Sequence, residues 1–119
     1  MNWLLIIFIL MLSGCASSGS WDTTDKALGA TALAATVSDW GQTRFIAENP
    51  QRFHENNPLL GEHPSLGRVD AHFVGAIVGG YFIADALPGK YRKVFLGTVS
   101  ILEISVTAHN KSIGVGWSF

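Results

Sequence analysis

Residues 69–87 read Val-Asp-Ala-His-Phe-Val-Gly-Ala-Ile-Val-Gly-Gly-Tyr-Phe-Ile-Ala-Asp-Ala-Leu, and Pro88-Gly89 follow at once. Phe73 to Ile83 contains no charge, and the stretch is long enough for about five helical turns. Pro88 lacks a backbone donor and cannot continue a helix, so the segment ends there. A second apolar run, Lys90 to Asn110, opens with Lys90, Arg92 and Lys93. From Val94 to Ala108 it is apolar apart from Thr98, Ser100, Glu103, Ser105 and Thr107. Upstream, Asp22, Thr23 and Thr24 offer N-cap side chains and Asp25 suits a positive helix end, before the helix-forming run Ala27 to Ala35. The pattern predicts an all-α fold, a small three-helix bundle with helices over 22–47, 69–87 and 90–110.

Working outward, the first helix carries two stripes. Leu33, Val37, Trp40 and Arg44 form one. Asp25, Gly29, Ala32, Thr36, Asp39 and Thr43 form the other, small and polar, and small residues let a neighbouring backbone approach closely. Gly75 and Gly79 make a Gly-x-x-x-Gly pair on the second helix, a candidate helix-contact surface extended by Gly80. Residues 48–68 form a loop holding Pro50, Pro58 and Pro64, and a structured loop of that length is often functional. In the tail 112–119, Ile113, Val115, Trp117 and Phe119 alternate with small residues. Period two suits a strand, but one candidate strand cannot make a barrel. The expectation is an extended tail with its apolar side on the bundle.

The chain has 119 residues, which allows one domain at most. Charged residues make up 14% and hydrophobic residues 48%, and the mean hydropathy is positive, which excludes intrinsic disorder. A net charge of -1 gives no basic footprint for nucleic acid. A single cysteine excludes an internal disulfide framework and a cysteine-based zinc site.

That cysteine closes the segment Leu12-Ser13-Gly14-Cys15, directly after the ten-residue apolar run Trp3–Leu12. The run suits the apolar region of an export signal and is too short to cross a bilayer. The tetrapeptide resembles the lipobox of bacterial lipoproteins. The resemblance implies a signal peptide over 1–14, cleavage before Cys15, and acyl chains such as palmitate on Cys15. The n-region departs from the usual pattern in having no Lys or Arg. The organisation expected is a signal at 1–14, a lipidated cysteine and flexible tether at 15–21, and a helical domain at 22–119. Ala16-Ser17 lacks an acidic retention signal, so the resemblance favours the outer membrane. The inner membrane fits if helices 69–87 and 90–110 span as a hairpin. His72, Asp85 and Glu103 oppose spanning unless they face partners or water, and a lipid-tethered bundle outside the bilayer is the other arrangement.

The polar residues that stand out are Asp39, Gln42, Thr43, Glu55, Asn57, His63, His72, Glu103 and Asn110. Ser100, Glu103, Thr107 and Asn110 share one face of the third helix, opposite Thr36, Asp39 and Thr43 of the first. A buried Glu103 must be hydrogen-bonded or neutral. Two readings fit, a hydrogen-bond network that sets helix register or a functional polar pocket. Asp39, Glu55 and Glu103 are the catalytic candidates, and no catalytic residue is assigned. Asp39-x-x-x-Thr43 followed by Glu55-Asn56-Asn57-Pro58 is similar to a group of uncharacterised small bacterial membrane proteins with a Glu-x-Asn-Pro loop, a likeness that carries no activity. His54, Glu55, His63, Asp70 and His72 match no metal-ligand spacing, so no metal and no cofactor are expected. No nucleophile elbow or phosphate loop is present. The expected role is a non-enzymatic, lipid-anchored cell-envelope protein that contacts membrane lipid and another envelope protein or a second copy. A small membrane enzyme acting on lipid or envelope substrates, and a phage-borne envelope-modifying lipoprotein, are the alternatives.

Overall fold

A computed structural model describes residues 19–119. The expected signal 1–14, Cys15 and the expected tether up to residue 18 lie outside the described residues. Three helices account for most of the rest: α1 (Thr23–Glu48), α2 (Leu66–Ala86) and α3 (Gly89–Ser112). No strand occurs among the described residues, and the fold is a small all-α three-helix bundle.

Local chemistry fixes each boundary. The Asp22 carboxylate accepts from the Asp25 N–H at 2.8 Å while Asp25 accepts from the Asp22 N–H at 3.0 Å, a reciprocal capping box. α2 begins at Leu66, three residues before the expected Val69, because the Ser65 hydroxyl accepts from the Arg68 N–H at 3.2 Å and caps the helix. α3 runs two residues past the expected Asn110 and stops where Gly114 takes a positive φ of 91°. Its N–H then reaches the Lys111 carbonyl at 3.1 Å.

α1 and α3 run parallel, with Asp25 beside Arg92 near their starts and Gln42 beside Asn110 near their ends. α2 runs the opposite way, its Ala84 packed with Ala32 and Leu96 and its Phe73 stacked on Trp40. It packs along α1 and barely touches α3. The small, polar stripe of α1 is the packed one: Asp25, Ala32, Thr36 and Thr43 are buried, while Leu33 from the other stripe is 48% exposed. Gly75, Gly79 and Gly80 have open space at their Cβ positions, so no close contact among the described residues uses the Gly-x-x-x-Gly pair.

Beside its small apolar clusters the bundle buries several polar residues and exposes many large apolar ones. Asp25, Gln42, Thr43, Arg92, Ser100 and Asn110 are buried, whereas Val78, Phe82, Val94, Ile101 and Leu102 face outward. Within 27–38, 71–84 and 94–108, no exposed residue is charged. Each stretch spans about 18–23 Å along its helix. α2 is long and apolar enough to cross a membrane. The tail runs back toward α1: Val115 is buried, the Ser118 N–H donates to the Gly41 carbonyl at 3.0 Å, and Trp117 Nε1 donates to Ser38 Oγ at 3.0 Å. Phe119 lies so close over Gly41 that a Cβ there would overlap the ring.

Candidate functional site

Two polar regions lie at opposite ends of the bundle. At the end where α1 and α3 begin, Arg92 is 1% exposed and satisfied on every side. Its Nη1 donates to Asp25 Oδ2 at 3.0 Å, Nε to the Ala84 carbonyl at 2.8 Å, and Nη2 to the Leu87 carbonyl at 3.0 Å. The guanidinium also lies 5.0 Å from the Trp21 ring centroid, and Trp21 Nε1 donates to Asp85 Oδ1 at 2.9 Å. Lys93 Nζ adds contacts to Asp22 at 2.8 Å and Asp25 at 3.0 Å. Burial would raise the Asp25 carboxyl, but the Asp22 N–H, Lys93 and Arg92 outweigh it and hold it at about 2. The hydrogen bond from Lys93, followed by that from the Asp25 N–H, lowers Asp22 as well. The same pair of carboxylates raises Lys93. This region clasps the three helices, and its geometry leaves no open valence for a ligand.

The other end differs in kind. Asp39 of α1 and Glu103 of α3 are half-buried, and their carboxyls lie close enough to interact. A hydrogen bond between two carboxyl groups requires a proton shared between them. Glu55 from the loop faces Asp39, and His72 from α2 faces Glu103, both within electrostatic range. Asn57 knits the loop to the helices: its N–H donates to Glu55 Oε1 at 2.9 Å, and its Nδ2 lies 3.4 Å from His72 Nε2. Asn57 Oδ1 accepts from the Leu59 N–H at 3.0 Å, which forms the turn through Pro58. Thr43 Oγ1 donates to Asp39 Oδ1 at a long 3.5 Å. All three catalytic candidates therefore converge on one place.

Polar satisfaction is incomplete here. Glu103 Oε2 and, one turn on, Thr107 Oγ1 are buried without a hydrogen-bond partner. Beside them Gln42 is fully satisfied: its Nε2 donates to the Thr107 carbonyl at 3.1 Å, and its Oε1 accepts from Asn110 Nδ2 at 3.1 Å. That pair is structural. Glu103 also closes one end of an apolar cleft of about 820 Å³ between the helices.

The remaining sequence candidates lie elsewhere. His63 is exposed on the loop, away from any contact in this cluster. Asp70 belongs to a separate cluster with Arg44 at 2.6 Å and Trp40 Nε1 at 2.8 Å. No group of three or more His, Cys, Asp or Glu among the described residues is placed to hold a metal ion. The Arg92 clasp was not foreseen as a unit, although Asp25 at a helix start and Arg92 after Pro88-Gly89 were its visible parts. His72, expected within the helix 69–87, joins the site from α2. The chain matches no protein-family model, no curated protein and no solved structure.

Proposed function

We propose that the chain is a lipid-anchored cell-envelope protein whose three-helix domain sits within the bilayer and serves a structural or interaction role there. One observation carries this reading: the exposed surface of all three helices is uncharged between two charged ends. In water such a surface is an aggregation liability, but against hydrocarbon it is the required one. The buried polar residues suit the same setting, because helices in lipid associate through close packing and interhelical hydrogen bonds. The uncharged belt is shorter than a typical hydrocarbon core of about 30 Å, a difference that local thinning accommodates. This placement goes with the inner membrane. Acyl chains on Cys15 supply a second, independent anchor.

Fractionation tests the two anchors separately. Wild type should incorporate labelled palmitate, and Cys15→Ala should not. Both proteins should stay in the membrane after an alkaline carbonate wash. Release of Cys15→Ala by the wash would show that the domain only rests on the surface, and absence of label in wild type would remove the lipoprotein reading.

A second reading is favoured by the meeting of Asp39, Glu55 and Glu103, with His72 beside them. It makes the chain a small membrane enzyme in which one carboxyl donates a proton and another accepts one. Such an enzyme would lose its activity in Glu103→Gln while remaining folded. A structural protein would keep its assembly in that variant and lose it when Gly75 or Gly79 is made bulky.

A further inference from the structure

The cleft between α2 and α3 has a basic mouth and an apolar interior. Beyond the Ala84–Leu96 contact the two helices part, and the gap is walled by Ile77 and Gly80 on one side and Val99 on the other, over a floor of Ala32 and Thr36. Lys26 stands at one end of this lining and Glu103 at the other. From Lys26 to Thr36 α1 rises about 15 Å, the depth of one leaflet in a hydrocarbon core of about 30 Å. Trp21 and Tyr81 flank the Lys26 end, their rings stacked with centroids 6.0 Å apart, and such aromatic residues suit the level of lipid headgroups. Lys26 is exposed and makes no ion pair among the described residues. The carboxylates nearest to it along α1 are engaged elsewhere: Asp22 meets Lys93 at 2.8 Å, and Asp25 meets Arg92 and Lys93, each at 3.0 Å. An ammonium therefore stands at the mouth without a counter-ion, on an aliphatic stem that can lie along the apolar wall.

We propose that the cleft holds one acyl chain of an anionic phospholipid, with the lipid phosphate at the Lys26 ammonium. Charge sets both the class of lipid and its direction. A phosphate at the Lys26 end gains a counter-ion and charge-assisted hydrogen bonds, whereas at the far end it would meet the Glu103 carboxyl. A zwitterionic head brings its own ammonium to the phosphate and gains less from Lys26. A cationic head without phosphate would meet like charge at the mouth. The acyl chain fills the apolar length of the cleft, and the second chain of the lipid stays in the surrounding bilayer. The inference deepens the proposed membrane role by naming a lipid class, and it rests on the reading that lipid surrounds the bundle.

The test uses the full chain in neutral detergent micelles, with phosphatidylglycerol and phosphatidylcholine carrying the same acyl chains, and native mass spectrometry to count what each protein retains. Wild type should retain the anionic lipid at least about fivefold better, the ratio that one lysine near an anionic headgroup supplies. Lys26→Gln should bring the two lipids to parity and leave retention of the zwitterionic one unchanged, and Lys26→Arg should keep the preference. Lys90→Gln removes an exposed cation that does not line the cleft, and should leave the preference intact. Gly80→Leu should lose both lipids, because nothing stands at its Cβ position and the larger side chain fills the cleft. Ala76→Leu, exposed on the same wall, is a second variant of that kind. Equal retention of the two lipids by wild type, a preference that survives Lys26→Gln or falls equally in Lys90→Gln, or retention unaffected by both filling variants would each overturn the inference. Retention of neither lipid by wild type would overturn it too, and binding confined to Cys15→Ala would assign the cleft to the chain's own acyl group. Thermal unfolding of each variant shows whether it is folded. The carbonate wash reads the membrane placement separately: a protein released by the wash that still prefers the anionic lipid would fail the placement and not the site.

Discussion

The two ends of the bundle use similar residues for opposite purposes. At one end, two carboxylates, a guanidinium and an ammonium are arranged so that Arg92 meets Asp25 and two backbone carbonyls, with Lys93 closing the ring. At the other, three carboxyls crowd together with one imidazole, and Glu103 Oε2 is left without a partner. Buried charge is tolerable where it is fully paired, and removing one partner is then severe. Where pairing is incomplete, a substitution that neutralises a group relieves as much as it removes. The first end holds the fold together, and the second leaves a buried carboxyl oxygen without a hydrogen-bond partner among the described residues.

The largest effect should come from breaking the complete end. Arg92→Met leaves Asp25 without its buried guanidinium partner and removes one donor each from the Ala84 and Leu87 carbonyls. A loss of about 3–5 kcal/mol is expected, and thermal unfolding in micelles followed by circular dichroism would show a midpoint at least about 10 °C lower. Acid should act on the same end. The Asp25 carboxyl is depressed to about 2 in the folded chain from an ordinary 3.8. Its stabilising contribution is therefore whole above about pH 4 and is lost as the pH falls through 2. The unfolding midpoint should drop over that window in wild type, and Asp25→Asn should show a flatter profile from a lower starting point.

The incomplete end should respond more gently. Asn110→Ala strips Gln42 Oε1 of its donor in a buried site and should cost about 1–3 kcal/mol, read from the same unfolding curves. Glu103→Gln should lie within about 1 kcal/mol of wild type, because the amide can donate to Asp39 without a shared proton. If Glu103→Gln instead matched Arg92→Met in severity, the contrast between the two ends would fail. The smallest effect belongs to Gly79→Ala. A Cβ there meets nothing among the described residues, so helix propensity should stabilise the monomer by about 0.5–1 kcal/mol. Loss of a higher-order species on size-exclusion chromatography in that variant would show that the glycine face serves another molecule.

The helices were legible because long apolar periods and Pro88 define them whatever the surroundings. The start of α2 was misplaced by three residues because Arg68 and Gly67 obscure a cap set by Ser65, whose bond to the Arg68 N–H is a local backbone event. The facing of Asp39 and Glu103 could be read from helical spacing on the two elements, since parallel neighbours keep such faces in step. The Arg92 clasp could not. It joins positions 25, 84, 87 and 92, and no period within one helix links residues across that separation. The tail alternation was legible as an extended segment, but only Val115 is buried by it, because Trp117 and Phe119 lie along α1 and stay partly exposed. The unpartnered Glu103 Oε2 was invisible in principle, since an absent donor leaves no mark in the order of residues.

The parallel run of α1 and α3 has a consequence for the whole molecule. In the proposed placement, three crossings would put Gly19 and Phe119 on opposite faces of the bilayer. With Cys15 acylated in the outer leaflet, as proposed, the loop 49–65 and the carboxyl cluster would open toward the cell interior. A reporter fused after Phe119 would then report from the cytoplasm, although Leu12-Ser13-Gly14-Cys15 resembles the cleavage site of an export signal.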